Sequence, residues 1–422
     1  MDLFVEKFGG ASVNSANAIK NVVSIIGQNN KKRLIIFSAM GKTTNLLENV
    51  VDNFFYNSII NYPLIEESLK YHSSIIEELF PKENKDIIIS IVFQFYEQIT
   101  KILLCSKKEN YSQLYSSIVS FGEKISTCII SEYFLYLGIK HLLLYADNII
   151  KTDEHFQEAN ILWQETQRNI EQEIQPLFLE YDTIISQGFI GGTLDNRTTT
   201  LGREGSDFSA SIFAYCLNSV DMTIWKDVDG FLNCDPKYFK DAVKFEQIPY
   251  SEAIELSYYG ASIIHPKTIK PLENKNIPLK VKSFINPLAL GSEINSSLKM
   301  KPLIPSYIFK TNQTLISISP KDFSFIVEEN ISNIFAIFAE KGIKLNLMQN
   351  SALSYSVCFD NKNKEVIDNL LEVLQEKYRV KYNTSLTLLT IRHYNEESIK
   401  KLTKEKDIIL EQRSRLTAQF LY

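Results

Sequence analysis

Apolar residues recur along this chain with two different spacings. Short, almost continuous runs appear in "LFVEKF", "KRLIIFSAM", "HLLLYA", "DTIISQGFIGG" and "DMTIWKDV". Runs this short and this apolar predict strands covered on both faces, as in a parallel sheet. Between them the spacing changes to three and four. Ile19, Val22, Val23 and Ile26 mark one side of a helix, and residues 45–138 read as mostly helical. "EANILWQETQRNIEQEIQPLFLEY", "DFSASIFAYCLN" and "SEAIELSYYGASIIHPKTIKPLENK" are further helical stretches, and "IPLKVKSF" reads as the last strand of this unit. Strands alternating with helices predict an α/β, three-layer αβα domain with a helical insertion, over residues 1–290.

The pattern then lapses. Residues 291–310 hold prolines and serines without apolar periodicity and read as a linker. Residues 311–385 read as an α+β unit of order βαββαβ, and 386–422 as a shorter relative with a small helix and no clear final strand. Glycine-rich turns follow the predicted strands at Gly9-Gly10 and at Gly188–Gly192. Ligands of open α/β sheets gather beyond such carboxyl ends.

Composition narrows the class. A chain of 422 residues exceeds one ordinary core. Hydrophobic residues at 45% and charged residues at 23% fit a globular protein, and a net charge of -5 argues against a nucleic-acid partner. Cys105, Cys128, Cys216, Cys234 and Cys358 form no C-x-x-C and read as small buried hydrophobes in a reducing compartment. The opening "MDLFVEKFGG" is unlike a signal peptide, and no uninterrupted apolar run approaches the ~18 residues that span a bilayer. The expectation is a cytoplasmic protein without a membrane partner. Dispersed histidines and the lack of H-E-x-x-H give no metal centre, and His265 before Pro266 reads as structural. Neither a Walker loop nor G-x-G-x-x-G occurs.

The candidate chemistry lies in five segments. "TTTLGREGSDFSASIFAY" sets Arg203 between two glycines at the mouth of a helix. Gly202 and Gly205 permit close backbone approach, the helix start near Ser206 attracts anions, and the Arg203 fork suits a carboxylate or phosphate. Asp207 falls in the first turn, where capping alone is the plainer explanation. The three threonines read as hydroxyl donors. In "EKFGGAS", Lys7 ends a buried strand before Gly9 and Gly10, whose amides and cation can wrap an anion. "SFGE" places Glu123 at an apolar helix start, suited to an ammonium group. "FSAMGKTTNLLE" offers Ser38 and Thr44, and "WKDVDGFLNCDPK" offers Asp227 and Lys237 after a strand.

Taken in order, these segments resemble the aspartate kinases. The family's K-F-G-G-[TS]-S-V is similar to Lys7–Val13, with Ala11 at the usual Thr or Ser. "SFGE", "TTTLGREGSD", "TIWKDVDGFLNCDPK" and "ELSYYGASIIHPKTI" match further family segments, and the C-terminal pair resembles ACT regulatory domains. The resemblance implies an amino-acid-kinase fold. It also implies ATP- and Mg²⁺-dependent phosphorylation of the L-aspartate β-carboxylate to 4-phospho-L-aspartate, the first step toward lysine, threonine and methionine. It casts Lys7, Gly9, Gly10 and Asp207 as catalytic. Ser38, Thr44, Glu123, Arg203 and Ser206 would bind aspartate, with Asp207 helping Glu123 at the ammonium group. Phe189, Lys226, Asp227, Leu232 and Lys237 would meet nucleotide. Lysine or threonine is the implied effector, and the ACT domains imply a homodimer. The chain departs from the pattern at Ser262, where a lysine is common, and at Leu232 and Lys237. Two other readings compete: another kinase of the same fold, and a non-catalytic amino-acid sensor, which would not need the phosphoryl-facing Lys7.

Overall fold

A computed structural model describes every residue except Met1, Asn29, Asn30, Ser262, Ile263, Phe323, Lys362 and Asn363. The departure at Ser262 therefore lies outside the described residues. The chain divides into two compact units. The first holds Met1–Phe231, Lys244–Ile254 and Ile263–Pro302; the second holds Leu232–Val243, Glu255–Ser262 and Leu303–Tyr422.

Among the described residues, ten strands belong to the first unit: β1 (Leu3–Phe8), β2 (Lys32–Phe37), β3 (Leu142–Leu144), β4 (Thr183–Gln187), β5 (Ile190–Gly192), β6 (Thr198–Thr200), β7 (Asp221–Lys226), β8 (Gln247–Pro249), β9 (Leu279–Ser283) and β10 (Ser292–Asn295). Eight form one sheet in the order β3-β4-β2-β1-β7-β9-β10-β8, and β5 pairs with β6 in a separate antiparallel hairpin. All neighbours in the large sheet run parallel except β9 and β10. Such a sheet needs cover on both faces. On one side, Phe8, Ile35, Phe37 and Trp225 join a core with residues of α1 (Ala16–Gly27) and of the insertion. The insertion comprises α2 (Thr43–Asn57), α3 (Tyr62–Leu79), α4 (Lys82–Cys105), α5 (Tyr111–Val119) and α6 (Phe121–Tyr136). After a short α7 (Ala146–Ile149) and α8 (Trp163–Asn169), helix α9 (Gly205–Leu217) packs on β1, β2 and β7. Then come α10 (Tyr250–Tyr259) and α11 (Pro266–Lys275), with α11 against α9.

The helix read over residues 158–181, the linker and the burial of Cys105 are corrected here. The long helix read from Glu158 to Tyr181 stops at Asn169 and continues as a π turn, Ile170–Ile174, and a 3₁₀ turn, Gln175–Leu179. Pro176 lacks the N–H that an α-helix would use there. The stretch read as a linker contains β10, which pairs with β9 and β8 and buries Ile294 fully. Its four residues are too few to show a period. Helix α4 has an 18-residue window apolar enough to cross a bilayer, although no uninterrupted run reaches that length. Its buried residues Ile88, Val92, Tyr96, Ile99 and Leu103 recur at helical spacing, the stripe of a core-facing helix. Cys105 at its end is exposed, unlike the other four cysteines.

Among its described residues the second unit holds one antiparallel sheet of six strands, β11 (Ser306–Pro320), β12 (Leu345–Asn350), β13 (Tyr355–Asp360), β14 (Tyr378–Arg392), β15 (Leu410–Arg413) and β16 (Thr417–Leu421). Their order is β12-β13-β11-β14-β16-β15. β11 and β14 are 15 residues each and pair along their whole length. Two sandwiches thus share one sheet. Helices α12 (Glu328–Glu340) and α13 (Lys364–Lys377) cover the first half through Ile334, Phe338, Leu370 and Leu374. Helix α14 (Glu396–Thr403) covers the second through Ile399 and Leu402, which pack with Leu389, Ile391 and Phe420. The second half does have its final strand, β16. Its fourth strand is Ser306–Lys310, paired with Leu388–Arg392 and drawn from the stretch read as a linker.

Candidate active site

The chemistry-bearing segments meet at the carboxyl ends of β1, β2, β4 and β7. Side chains alternate along β1, so Lys7 faces the α9 side while Glu6 and Phe8 face the other. Helix α9 begins at Gly205, which puts Asp207 in its first turn. Lys7 Nζ lies 2.6 Å from Asp207 Oδ1, and Lys226 Nζ lies 3.6 Å from Oδ2. Lys7 is 8% exposed and Asp207 3%, so this is no rim lysine reaching for water. Burial alone would raise the Asp207 carboxyl, but Lys7 and Lys226 hold it below its ordinary value. Helix α9 has no side-chain cap, so capping does not account for Ser206 or Asp207.

The turns after β1 and β2 are stitched together. Ser38 N–H donates to the Phe8 carbonyl at 3.2 Å, and Gly41 N–H to the Gly10 carbonyl at 3.2 Å. A Cβ on Gly10 would stand 2.7 Å from the Ala39 carbonyl oxygen, so the backbones approach this closely only with glycine there. A Cβ on Gly9 would lie 3.5 Å from Lys7 Nζ, which sets the Gly9 backbone beside the ammonium. The insertion braces the same loops. Tyr71 donates to the Asn14 carbonyl at 2.8 Å, and Thr43 to the Met40 carbonyl at 2.7 Å. Behind Thr43, His72 is fully buried and contacts Tyr96 Oη at 2.8 Å. Burial lowers His72 to about 4, against the pull of the Ser68 carbonyl, so it is neutral.

Glu123, in the first turn of α6, accepts from the Ala39 N–H at 3.4 Å through Oε1. Its Oε2 is buried without a hydrogen-bond partner among the described residues. Burial raises this carboxyl to about 8, opposed by the Ala39 N–H and by the Lys7 charge.

These groups open onto one cavity of about 560 Å³, within the range of small-molecule sites. Of the residues singled out in the sequence, Lys7, Gly10, Ser38, Thr44, Glu123, Phe189, Arg203, Ser206, Asp207 and Lys226 all line it. Gly9 adjoins it through Lys7. Asp227, Leu232 and Lys237 do not line it. Asp227 and Lys237 are exposed. Past Asp227 the chain is held elsewhere, because Phe231 N–H donates to Ser292 Oγ at 2.8 Å, and Leu232 and Lys237 fall in the second unit.

The threonines are corrected as well. Thr198–Thr200 form β6, as β-branched residues favour, and none lines the cavity. Thr198 bonds Asp147, Thr199 bonds Thr152, and Thr200 bonds the Gln157 carbonyl. Phe189 has a φ of 67°, a strained left-handed residue. Its N–H donates to Ser209 Oγ at 2.9 Å, and its carbonyl accepts from Leu201 at 2.8 Å.

Sequence reasoning passed over several wall residues. Glu204, inside the quoted motif, is left-handed at φ 54° and lines the cavity. Glu48, Tyr115, Gln157 and Glu158 line it too, with the Tyr115 hydroxyl donating to Glu48 Oε1. Only Glu204 had a visible signal, a long acid where the turn favours glycine. No three His, Cys, Asp or Glu among the described residues are grouped to hold a metal ion.

The comparisons with known proteins agree with this arrangement. The profile of the amino acid kinase family matches residues 2–283. The chain is 33% identical over 386 residues to "Aspartokinase 1, chloroplastic" of Arabidopsis thaliana, covering 88% of this chain and 66% of that protein. It is 26% identical over 401 residues to "Lysine-sensitive aspartokinase 3" of Escherichia coli, covering 92% of this chain and 87% of that protein. The crystal structure of E. coli aspartokinase III in complex with aspartate and ADP superposes with a TM-score of 0.84 at 24% identity, covering 100% of this chain and 96% of that one. The chain is also 31% identical over 395 residues to "Aspartokinase 2, chloroplastic" of Arabidopsis thaliana, covering 88% of this chain and 70% of that protein. With the family profile spanning most of the first unit and the named relatives reaching into the second, the chain belongs to the amino acid kinase family, among the aspartokinases.

Proposed function

We infer that this chain transfers the γ-phosphoryl group of ATP to the β-carboxylate of L-aspartate. A carboxylate oxygen attacks phosphorus, the bond from phosphorus to the β,γ-bridging oxygen breaks, and ADP and 4-phospho-L-aspartate form. The carboxylate is already ionised, so no general base is needed. What the protein must supply is in-line placement of two anions and cover for the spreading charge. The observation that carries this reading is that Lys7 and Arg203 open onto the same cavity.

In this reading Lys7 meets the transferring phosphoryl group, with the Gly9 and Gly10 amides beside it. Asp207 keeps the Lys7 ammonium in place. Arg203 grips an acceptor carboxylate, Glu123 with Asp207 receives the acceptor ammonium, and Ser38, Thr44 and Ser206 complete that pocket. Phe189 and Lys226 stand on the nucleotide side; Asp227, Leu232 and Lys237 have no support from the cavity for such a role. Mg²⁺ enters as MgATP, a cation that phosphate oxygens and water largely satisfy. A coupled assay with ATP, Mg²⁺, L-aspartate and hydroxylamine tests the reading. Aspartyl hydroxamate should form, and Lys7→Ala should lower kcat at least ~100-fold, as loss of one oriented donor does. Folded protein that binds aspartate yet makes no hydroxamate would instead favour the sensor.

The second unit favours a regulatory role. Its sheet halves resemble the ACT pair expected from sequence, and the relative named above is lysine-sensitive. We assign lysine as the first effector to test, with threonine second, and pairing of two chains through this unit. Exposed Met348, Gln349 and Asn350 on edge strand β12 offer unpaired backbone for such a contact. Lysine titration of the hydroxamate rate, with sedimentation of the intact chain, decides both points.

A further inference from the structure

The site so far gives no task to His265-Pro266-Lys267. Helix α11 opens there. His265 is its N-cap, and His265 Nδ1 accepts from the Lys267 N–H at 3.2 Å. Pro266 takes the first helical position, where a missing N–H costs nothing. The Lys267 side chain then leaves its own helix. Its Nζ donates to the Leu201 carbonyl at 2.7 Å and stands 5.5 Å from the centre of the Phe208 ring.

Leu201 is the last residue before the Gly202–Gly205 turn that carries Arg203. That turn has little of its own to hold it. Gly202 and Glu204 are both left-handed, at φ 68° and 54°, and Arg203 is exposed. A Cβ on Gly202 would come 2.9 Å from Glu158 Cγ, so the turn also passes close to the neighbouring chain. At its exit, Gly205 N–H closes onto the Gly202 carbonyl at 2.9 Å. At its entry, the Leu201 N–H is tied to Phe189 and the Leu201 carbonyl to Lys267. Lys267 does not line the cavity.

We propose that Lys267 is a positioning residue: by holding the Leu201 carbonyl it sets the entry to the Gly202–Gly205 turn and so aims Arg203 at the acceptor carboxylate. This rests on the reading of Arg203 given above. Burial lowers the Lys267 ammonium from its ordinary value, while the carboxylates of Glu158, Glu204 and Asp207 oppose that shift. The same acids surround the turn, so the cation ties together segments that would otherwise repel.

The test uses the full chain in the hydroxamate assay, titrating L-aspartate and MgATP separately. Lys267→Met keeps the stem over Phe208 and removes the donor. It should raise the aspartate KM about tenfold or more and leave the MgATP KM within about twofold, since a small misplacement of a gripping group is costly. Lys267→Arg still donates and should return the aspartate KM to within about threefold of the parent. Should Lys267→Met fail to fold, Lys267→Gln, which is too short to reach, carries the same expectation. Arg203→Ala is the control. If it raises the aspartate KM but the folded Lys267 variants do not, Lys267 is only a structural brace and the proposal is overturned. If Arg203→Ala leaves that KM unchanged, the reading of Arg203 fails first and takes the proposal with it.

Discussion

Glu123 lines the cavity yet is only 3% exposed, and its titration should govern substrate binding. With its value near 8, the carboxyl is largely protonated at neutral pH and offers no charge to an ammonium. Raising the pH from 6 through 8 ionises it, so the aspartate KM should fall across that window. Glu123→Gln should flatten the profile. Stability runs the other way. A carboxyl raised from 4.5 to about 8 contributes fully below 4.5, and that contribution is lost as pH rises through 8. Thermal melts of Glu123→Gln should lose this slope. Asp207 has the opposite sign: its value is lowered, so its contribution is present above the ordinary 3.8 and lost as pH falls through the lower folded value. At this scale, charge beside glycine drew attention to Lys7, Arg203 and Asp207, and all three line the cavity. It misled at the threonines, because a hydroxyl looks the same whether it meets a ligand or a neighbouring carbonyl. Glu48 and Glu158 arrive from distant elements, and no local signature marks them.

Elements place these residues, and one close joint lies between the turns after β1 and β2. Gly10→Ala would push a methyl to 2.7 Å from the Ala39 carbonyl oxygen, backbone that cannot swing aside. We expect a loss of about 1–3 kcal/mol in stability, the usual cost of overpacking, together with a lower kcat because Lys7 and Ser38 are displaced. Denaturant unfolding with parallel rate measurements checks both. Long or strongly periodic elements were legible: β1, β2, α1, the insertion helices and α9. The failures were short or interrupted ones. β10 has four residues, and the helix expected to run through Pro176 could not.

On the scale of the molecule, the sequence showed two α+β halves in the second unit but not that they share strands. Pairing between residues far apart in the chain leaves no periodic trace, and β11 was split between a linker and a strand. The shared sheet makes a specific forecast. A chain cut after Asn383 would strand Tyr307 and Phe309, which pack against the Leu389, Ile391 and Phe420 cluster. Such a truncation should aggregate or melt without a cooperative transition, whereas two independent sandwiches would leave the first half soluble and folded. Size-exclusion and calorimetry of the truncated chain distinguish these outcomes.

That shared sheet also sets a timetable for biosynthesis. Ser306–Lys310 emerges from the ribosome well before Leu388–Arg392, the strand segment it pairs with. At about 5–20 residues per second the wait lasts several seconds. During it, Tyr307 and Phe309 travel on a nascent strand whose mate has not been made. The first half of the sheet can close earlier, when Tyr378–Asn383 appears, and would hold that strand in line until translation catches up.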